Sequence, residues 1–124
     1  MLQCGQVIEI FDPRTRPPKW KWHICVCDRR YLFLRINSRP LWPPHHPLPA
    51  SENAFLDHDS YVELRQLFHF GPHAVDAALR LPKNPIGVLT GQQALEVALA
   101  VRRAVTFSEE NSDIVWQNLS PLFP

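Results

Sequence analysis

The chain predicts an α+β domain: a small, strongly curved antiparallel sheet or partial barrel, closed by helices that follow it in sequence. Two observations carry this reading and a third bounds it. Short apolar or alternating segments separated by polar turns fill residues 3–70, and apolar residues at helical spacing begin only after Gly71. No strand–helix–strand alternation exists, which argues against a doubly wound parallel sheet. A length of 124 residues holds one core, so 1–124 is read as a single domain, with a β-rich part at 1–70 and a helical part at 71–124 packing on it.

The first strand is expected over Gln3–Phe11, where Val7, Ile8, Ile10 and Phe11 surround the single charge of Glu9, and Asp12-Pro13 ends it because proline fixes φ and removes a ladder donor. A basic connection with Arg14, Arg16 and Lys19 follows. From Lys21 to Cys27 a second strand alternates, with Trp22, Ile24 and Val26 on one face and His23, Cys25 and Cys27 on the other. Asp28-Arg29-Arg30 fits a hairpin loop, so Tyr31–Ile36 should pair antiparallel with the second strand. Arg39–Pro49 contains five prolines together with Trp42, His45 and His46, and reads as an extended surface loop. A fourth strand is expected over Ser60–Leu64 and a fifth over Gln66–Phe70. A short helix is expected over Pro72–Leu81, with Ala74, Val75, Ala78 and Leu79 on one face. Thr90 and Gln93 have capping-box spacing ahead of Ala94, Leu95, Ala98, Leu99 and Val101, and Thr106 and Glu109 repeat it ahead of Ile114, Val115 and Leu119. Leu95 and Leu99 are expected to close the core.

Composition narrows the functional classes. Thirteen basic and twelve acidic residues leave a formal charge of +1, so nucleic-acid contact requires a local patch rather than a global field. The three cysteines, Cys4, Cys25 and Cys27, are odd in number and lack C-x-x-C spacing, and read as free thiols in a reducing compartment. No segment reaches the roughly 18 apolar residues of a membrane span, and the first residues lack a signal-peptide layout. The expectation is a cytoplasmic protein without membrane contact.

Asp57-His58-Asp59-Ser60 holds the residue types of a catalytic triad, but sequence neighbours point in different directions, and Asp and Ser at a strand entry usually bond nearby backbone. The cluster therefore reads first as a turn, with His58 free to face a cleft, imidazole being able to exchange a proton near neutral pH. The histidines offer no metal-binding helix: His69 and His73 differ by four but straddle Gly71-Pro72. Neither a metal nor a cofactor is expected, and no glycine-rich phosphate cradle exists. The strongest local pattern mixes cations with flat rings: Arg14, Arg16, Lys19, Trp20, Lys21 and Trp22, with Arg35, Arg39 and Trp42 elsewhere in the β-rich part. Cations neutralise phosphates and rings stack on bases, a combination suited to single-stranded RNA. On residue types alone, a solvated loop with Trp22 in the core and Trp20 over a sheet edge explains the run better than RNA binding does.

The order of these pieces resembles the PemK/MazF-like toxin family, above all its divergent members. The similar features are Gly5-Gln6-Val7 opening the first strand, the basic loop at 14–21, His23-Ile24-Cys25-Val26, and Ile36-Asn37-Ser38 ending the third strand. Phe55-Leu56-Asp57-His58-Asp59-Ser60-Tyr61-Val62 is similar to the "FL-hDSYv" segment of those members, and Gly87-Val88-Leu89 with two following helices also matches. The resemblance implies a small SH3-like or CcdB-like barrel, often a homodimer, acting as an endoribonuclease on single-stranded RNA and neutralised by an antitoxin. The family's catalytic arginine lies in an Arg-Pro pair just before the second strand. The stretch taken to correspond, Lys19-Trp20-Lys21-Trp22-His23, carries no such pair, and Lys21 is its nearest basic match, with an ammonium in place of a guanidinium fork. Ser38 matches the family's hydroxyl after the third strand. The resemblance thus implies Lys21 and Ser38 as catalytic groups, with His23 and His58 as candidate acid or base, and Arg14, Arg16, Lys19, Trp20, Lys21 and Arg39 as RNA contacts. The competing reading is a non-catalytic interaction module whose curved sheet and Trp-Pro loop bind a protein partner.

Overall fold

A computed structural model describes all 124 residues, Met1–Pro124. The strands are β1 (Gln6–Asp12), β2 (Lys19–Cys27), β3 (Leu32–Asn37), β4 (His45–Leu48), β5 (Ser60–Glu63), β6 (Phe68–His69) and β7 (Gly87–Val88). The helices are α1 (Pro72–Leu79), α2 (Gly91–Arg103) and α3 (Glu109–Leu119). The sheet runs in the order β4-β5-β3-β2-β1-β7, with β6 also pairing β3, and every pairing is antiparallel. This is an α+β fold with a curled, partial-barrel sheet.

The β2–β3 hairpin has the expected partners, Trp22 opposite Ile36, His23 opposite Arg35 and Cys25 opposite Phe33. The register shifts between Cys25 and Cys27, leaving one extra residue on β2; such a bulge bends the strand and increases its twist. Alternation along these strands separates two cores. Val7, Ile24, Val26, Leu34, Ile36 and Val62 pack with α2 and α3, whereas Ile8, Ile10, Cys25, Phe33, Phe68 and Phe70 pack with Val75 and Ala78 of α1. With helices on both sides, β2 from His23 to Cys27 is buried on both faces, so its sequence reads as a nearly continuous apolar run.

Four expectations change. The proline-rich segment contains β4, because an edge strand needs a hydrogen-bonding ladder on one side only; Pro47 sits opposite Tyr61 and the edge tolerates it. The helical part contributes the two-residue β7, whose Gly87 lies opposite Val7 of β1. A Cβ on Gly87 would stand 2.5 Å from the Phe55 ring, so the absence of a side chain there lets the segment carrying Phe55 and Leu56 lie flat on the sheet edge. Thr90 caps α2 as expected, accepting from the Gln93 amide at 3.2 Å, but α3 is capped by Ser108, which accepts from the Asn111 amide at 3.1 Å. Thr106 instead donates to the Leu64 carbonyl. Finally, the buried stripe of α2 is Ala94, Val97, Ala98 and Val101, one residue out of phase with Leu95 and Leu99, which are only half-buried.

The load therefore falls on residues such as Leu119, which is fully buried in the core beneath α2 and α3. Leu119→Ala should cost about 2–5 kcal/mol in urea melts, the range for a buried leucine leaving a cavity, and Leu95→Ala less than half as much. Equal losses for the two would contradict this packing.

Candidate functional site

At the open end of the sheet, where β2 begins and β3 ends, a cleft of about 230 Å³ is lined by Trp20, Lys21, Trp22, Ile36, Ser38, Leu56, Asp57, His58 and Ser60. Three chain segments build it. β2 supplies the two indoles and Lys21, the residues after β3 supply Ser38, and the turn before β5 supplies Asp57 and His58. Trp20 is 47% exposed and meets Phe11 edge-on at 5.5 Å between ring centres, so one face of a rigid aromatic pair is left to solvent. Trp22 packs toward Phe55, at 6.4 Å, and forms part of the floor.

The 57–60 segment is a hydrogen-bonded turn, as its residue types suggest. Asp59 accepts from the Ala50 amide at 2.9 Å, and the Ser60 hydroxyl donates to the His58 carbonyl at 3.2 Å. His58 is exposed, and its Nδ1 lies 2.9 Å from the Asp59 carbonyl oxygen. A carbonyl can only accept, so the proton sits on Nδ1 and the Nε2 lone pair is left for a ligand. Lys21 is half-buried, and its ammonium is held below the ordinary lysine pKa, first by loss of solvent and then by the charges of Arg35 and Lys19, with Glu63 acting in the opposite sense. It thus holds its proton less tightly than a surface lysine does.

Of the candidate catalytic residues, Ser38 and His58 line the cleft; Lys21 borders it along β2, but alternation turns its side chain to the other face, toward Arg35 and Glu63, and His23 lies on that face too. His23 is 0% exposed, on the opposite face of the sheet, surrounded by Phe33, Phe68 and Phe70 with ring centres at 6.1, 5.8 and 4.9 Å. Its Nδ1 donates to the Lys21 carbonyl at 3.0 Å and its Nε2 accepts from Nε of Arg35 at 3.2 Å, an arrangement open only to neutral imidazole. Burial, and then the neighbouring Arg35 charge, push its pKa down to about 3. His23 is a structural acceptor, and its role as an acid or base is withdrawn. Arg14 also departs from expectation. Its guanidinium is bound to Asp12 at 2.8 Å and lies over the Phe70 ring at 4.8 Å, so most of its charge is already answered. Lys19, Arg16 and Arg39 are exposed but do not line the cleft.

Sequence reasoning missed the network behind the cleft. Asp12 is 0% exposed and is gripped by both Arg14 and Arg35; Arg35, 9% exposed, lies 3.9 Å from the Phe68 ring centre and is locked between ring, carboxylate and imidazole. Asp12 reads in sequence as a strand breaker. The one available signal was that alternation places Arg35 on the same face as Phe33, where an arginine needs a carboxylate. Burial alone would raise the pKa of Asp12, but the hydrogen bonds from Arg14 and Arg35 outweigh it, and the net shift is downward. The three cysteines are free, with Cys25 and Cys27 buried. No helix is long and apolar enough to cross a membrane.

Comparison with protein-family models and with curated protein sequences gives no match for this chain.

Both shifted groups in the network lose their contribution in acid. The unfolded chain takes up a proton at His23 near pH 6.5 while the folded chain resists to about pH 3. Unfolding free energy should therefore fall with pH through that window, at most by roughly 1 kcal/mol per pH unit from this group. The depressed Asp12 adds a further loss below about pH 4, where the unfolded carboxylate protonates first. His23→Gln, which can still donate and accept, should flatten the profile between pH 6 and pH 4 in denaturant melts. An unchanged slope would contradict a neutral buried His23.

Proposed function

We propose that the chain is a PemK/MazF-like toxin-related protein that binds single-stranded RNA in the Trp20–His58 cleft and cleaves it without a metal. The observation that carries this reading is the convergence of Trp20, Ser38 and His58, drawn from three separate segments, on one small cleft. Each has a role in the proposed chemistry. Trp20 stacks a base, a contact that tolerates any base because all have a π-face. Nε2 of His58 takes the proton of the ribose 2′-hydroxyl, and the freed oxygen attacks phosphorus in line with the departing 5′-oxygen. The Ser38 hydroxyl hydrogen-bonds a phosphate oxygen as charge builds on it. The leaving 5′-oxygen takes its proton from solvent water. The products are a 2′,3′-cyclic phosphate and a 5′-hydroxyl. Lys19, Arg16 and Arg39 flank the cleft segments as phosphate contacts that carry little base information.

One point of the resemblance shifts with the fold. β2 begins at Lys19, so Arg16-Pro17 stands before it with only Pro18 between and matches the family's Arg-Pro pair better than Lys21 does. Arg16 is exposed and does not line this cleft, so the cations of this reading act from its rim. A homodimer, an acidic antitoxin-like partner and a cytoplasmic location belong to the same proposal. The interaction-module reading draws support from Leu41 and Trp42, which stand 52% and 65% exposed on the proline-rich segment.

Incubation with mixed RNA oligonucleotides in chelator should give cyclic-phosphate ends. His58→Ala should lower the cleavage rate by about a hundredfold or more, as loss of an acid–base group does. Ser38→Ala should reduce cleavage more than binding. Lys19→Ala with Lys21→Ala should lower affinity across all sequences and weaken its salt dependence. Trp20→Ala should cost roughly 1–3 kcal/mol of binding. No RNA binding at low salt by the folded protein would put the interaction module in front.

A further inference from the structure

The opposite face of the same sheet end carries a second cavity, of about 320 Å³, bounded by Asp12, Arg14, Arg35, Trp42, Glu63 and Arg65 among others. The cleft described above does not use these residues. Their charges do not cancel. Asp12 is answered by Arg14 and Arg35, and Glu63 accepts from Asn37 at 3.3 Å and has Lys21 among its charged neighbours. Three lining arginines against two carboxylates leave one positive charge over this cavity, and Lys21, beside Glu63, adds to it, so the cavity opposes a cation and favours an anion.

Arg35 is the best-prepared donor. Its Nε is committed to His23 and its Nη2 to Asp12, while Nη1 has no protein acceptor. Ring, carboxylate and imidazole hold the guanidinium still, so it can meet an anion without losing side-chain freedom. Arg65 is exposed, has no carboxylate partner, and lies 5.8 Å from the Trp42 ring centre. Planar guanidinium forks suit the oxygens of a phosphate, and an exposed indole beside them suits a base attached to that phosphate.

We propose that this cavity binds the phosphate group of a nucleotide, with Arg35 and Arg65 donating to the phosphate oxygens and Trp42 stacking on the base. The inference goes beyond the RNA-cleft reading and holds or fails separately from it.

The test is titration of the ¹⁵N-labelled full chain at low salt with inorganic phosphate, uridine, uridine 5′-monophosphate and a short oligouridylate. Uridine 5′-monophosphate should move the amide signals of Arg35, Trp42 and Arg65 and leave those of Ser38 and His58 in place. Inorganic phosphate should move the Arg35 and Arg65 signals with about tenfold weaker affinity, and uridine should move none; a stacked base and a charged hydrogen bond are each worth about a factor of ten or more. Arg65→Ala, a surface change that leaves the Asp12–Arg35 pair intact, should weaken both anions about tenfold. Trp42→Ala should weaken only the nucleotide. Absence of movement at these amides, or movement that Arg65→Ala leaves unchanged, overturns the proposal. Nucleotide affinity equal to that of bare phosphate overturns its assignment to a nucleotide. Oligouridylate shifts at Ser38 and His58 with no nucleotide shift at Arg35, Trp42 and Arg65 overturn this inference and leave the cleft reading standing; nucleotide shifts at Arg65 with no oligouridylate response at Ser38 and His58 support this inference and remove the other.

Discussion

A carboxylate with no exposed surface has to be neutralised where it sits, and Asp12 imposes that condition on the open end of the sheet. It stands at the last position of β1, opposite Lys19 of β2, and draws in Arg14 from the following loop and Arg35 from β3. One charge thus ties the end of β1 and the loop after it to β3, 23 residues on. Arg35 in turn requires an acceptor at its Nε, and neutral His23 supplies it. Leaving either charge without its partner would cost on the order of 3–5 kcal/mol, as for other buried pairs. The network thus fixes the face from which β2 emerges as Lys19-Trp20-Lys21-Trp22. With His23 held inward on the α1 side, alternation sends Trp20 and Trp22 to the side of Ile36 and Ser38.

The architecture was legible wherever local chemistry and burial agree. Alternation in Trp22–Cys27 and the polar Asp28-Arg29-Arg30 turn specified the β2–β3 hairpin, and Thr90 announced the start of α2. The failures come from tertiary context. Pro47 argues against a strand until the segment is known to lie at an edge, and two residues at Gly87–Val88 cannot signal a strand by periodicity. The phase of α2 went wrong because leucine looks more like core than alanine or valine does, whereas α2 offers its small residues, Ala94 and Ala98, to the core. Ser108, rather than Thr106, caps α3 because Thr106 is taken by the Leu64 carbonyl, 42 residues away.

The candidate site was legible in its residue types and only partly in its geometry. Ser38 and His58 come from separate segments and line one cleft, whereas Lys21, one residue along β2 from Trp20, turns to the opposite face. His23 was misplaced because strand alternation says which residues share a face and not which face a helix will cover. Arg14 was misjudged because its partner, Asp12, looked like a turn residue. A charge earns its function only when no neighbour has claimed it, and that is invisible in a sequence of isolated cations. Lys19 and Arg39 make no ion pair, whereas Arg14 and Arg35 are bound to Asp12.

Under the proposed function, single-stranded RNA lies across the cleft between Trp20 and His58. Photocrosslinking of an oligonucleotide carrying a photoreactive uridine, followed by mass mapping of the linked peptides, measures this directly and does not depend on catalysis. The account predicts adducts within residues 19–22, 38–39 and 55–60, lost on competition with unlabelled RNA. Adducts confined to other surfaces, or none under conditions where the protein is folded, would contradict it.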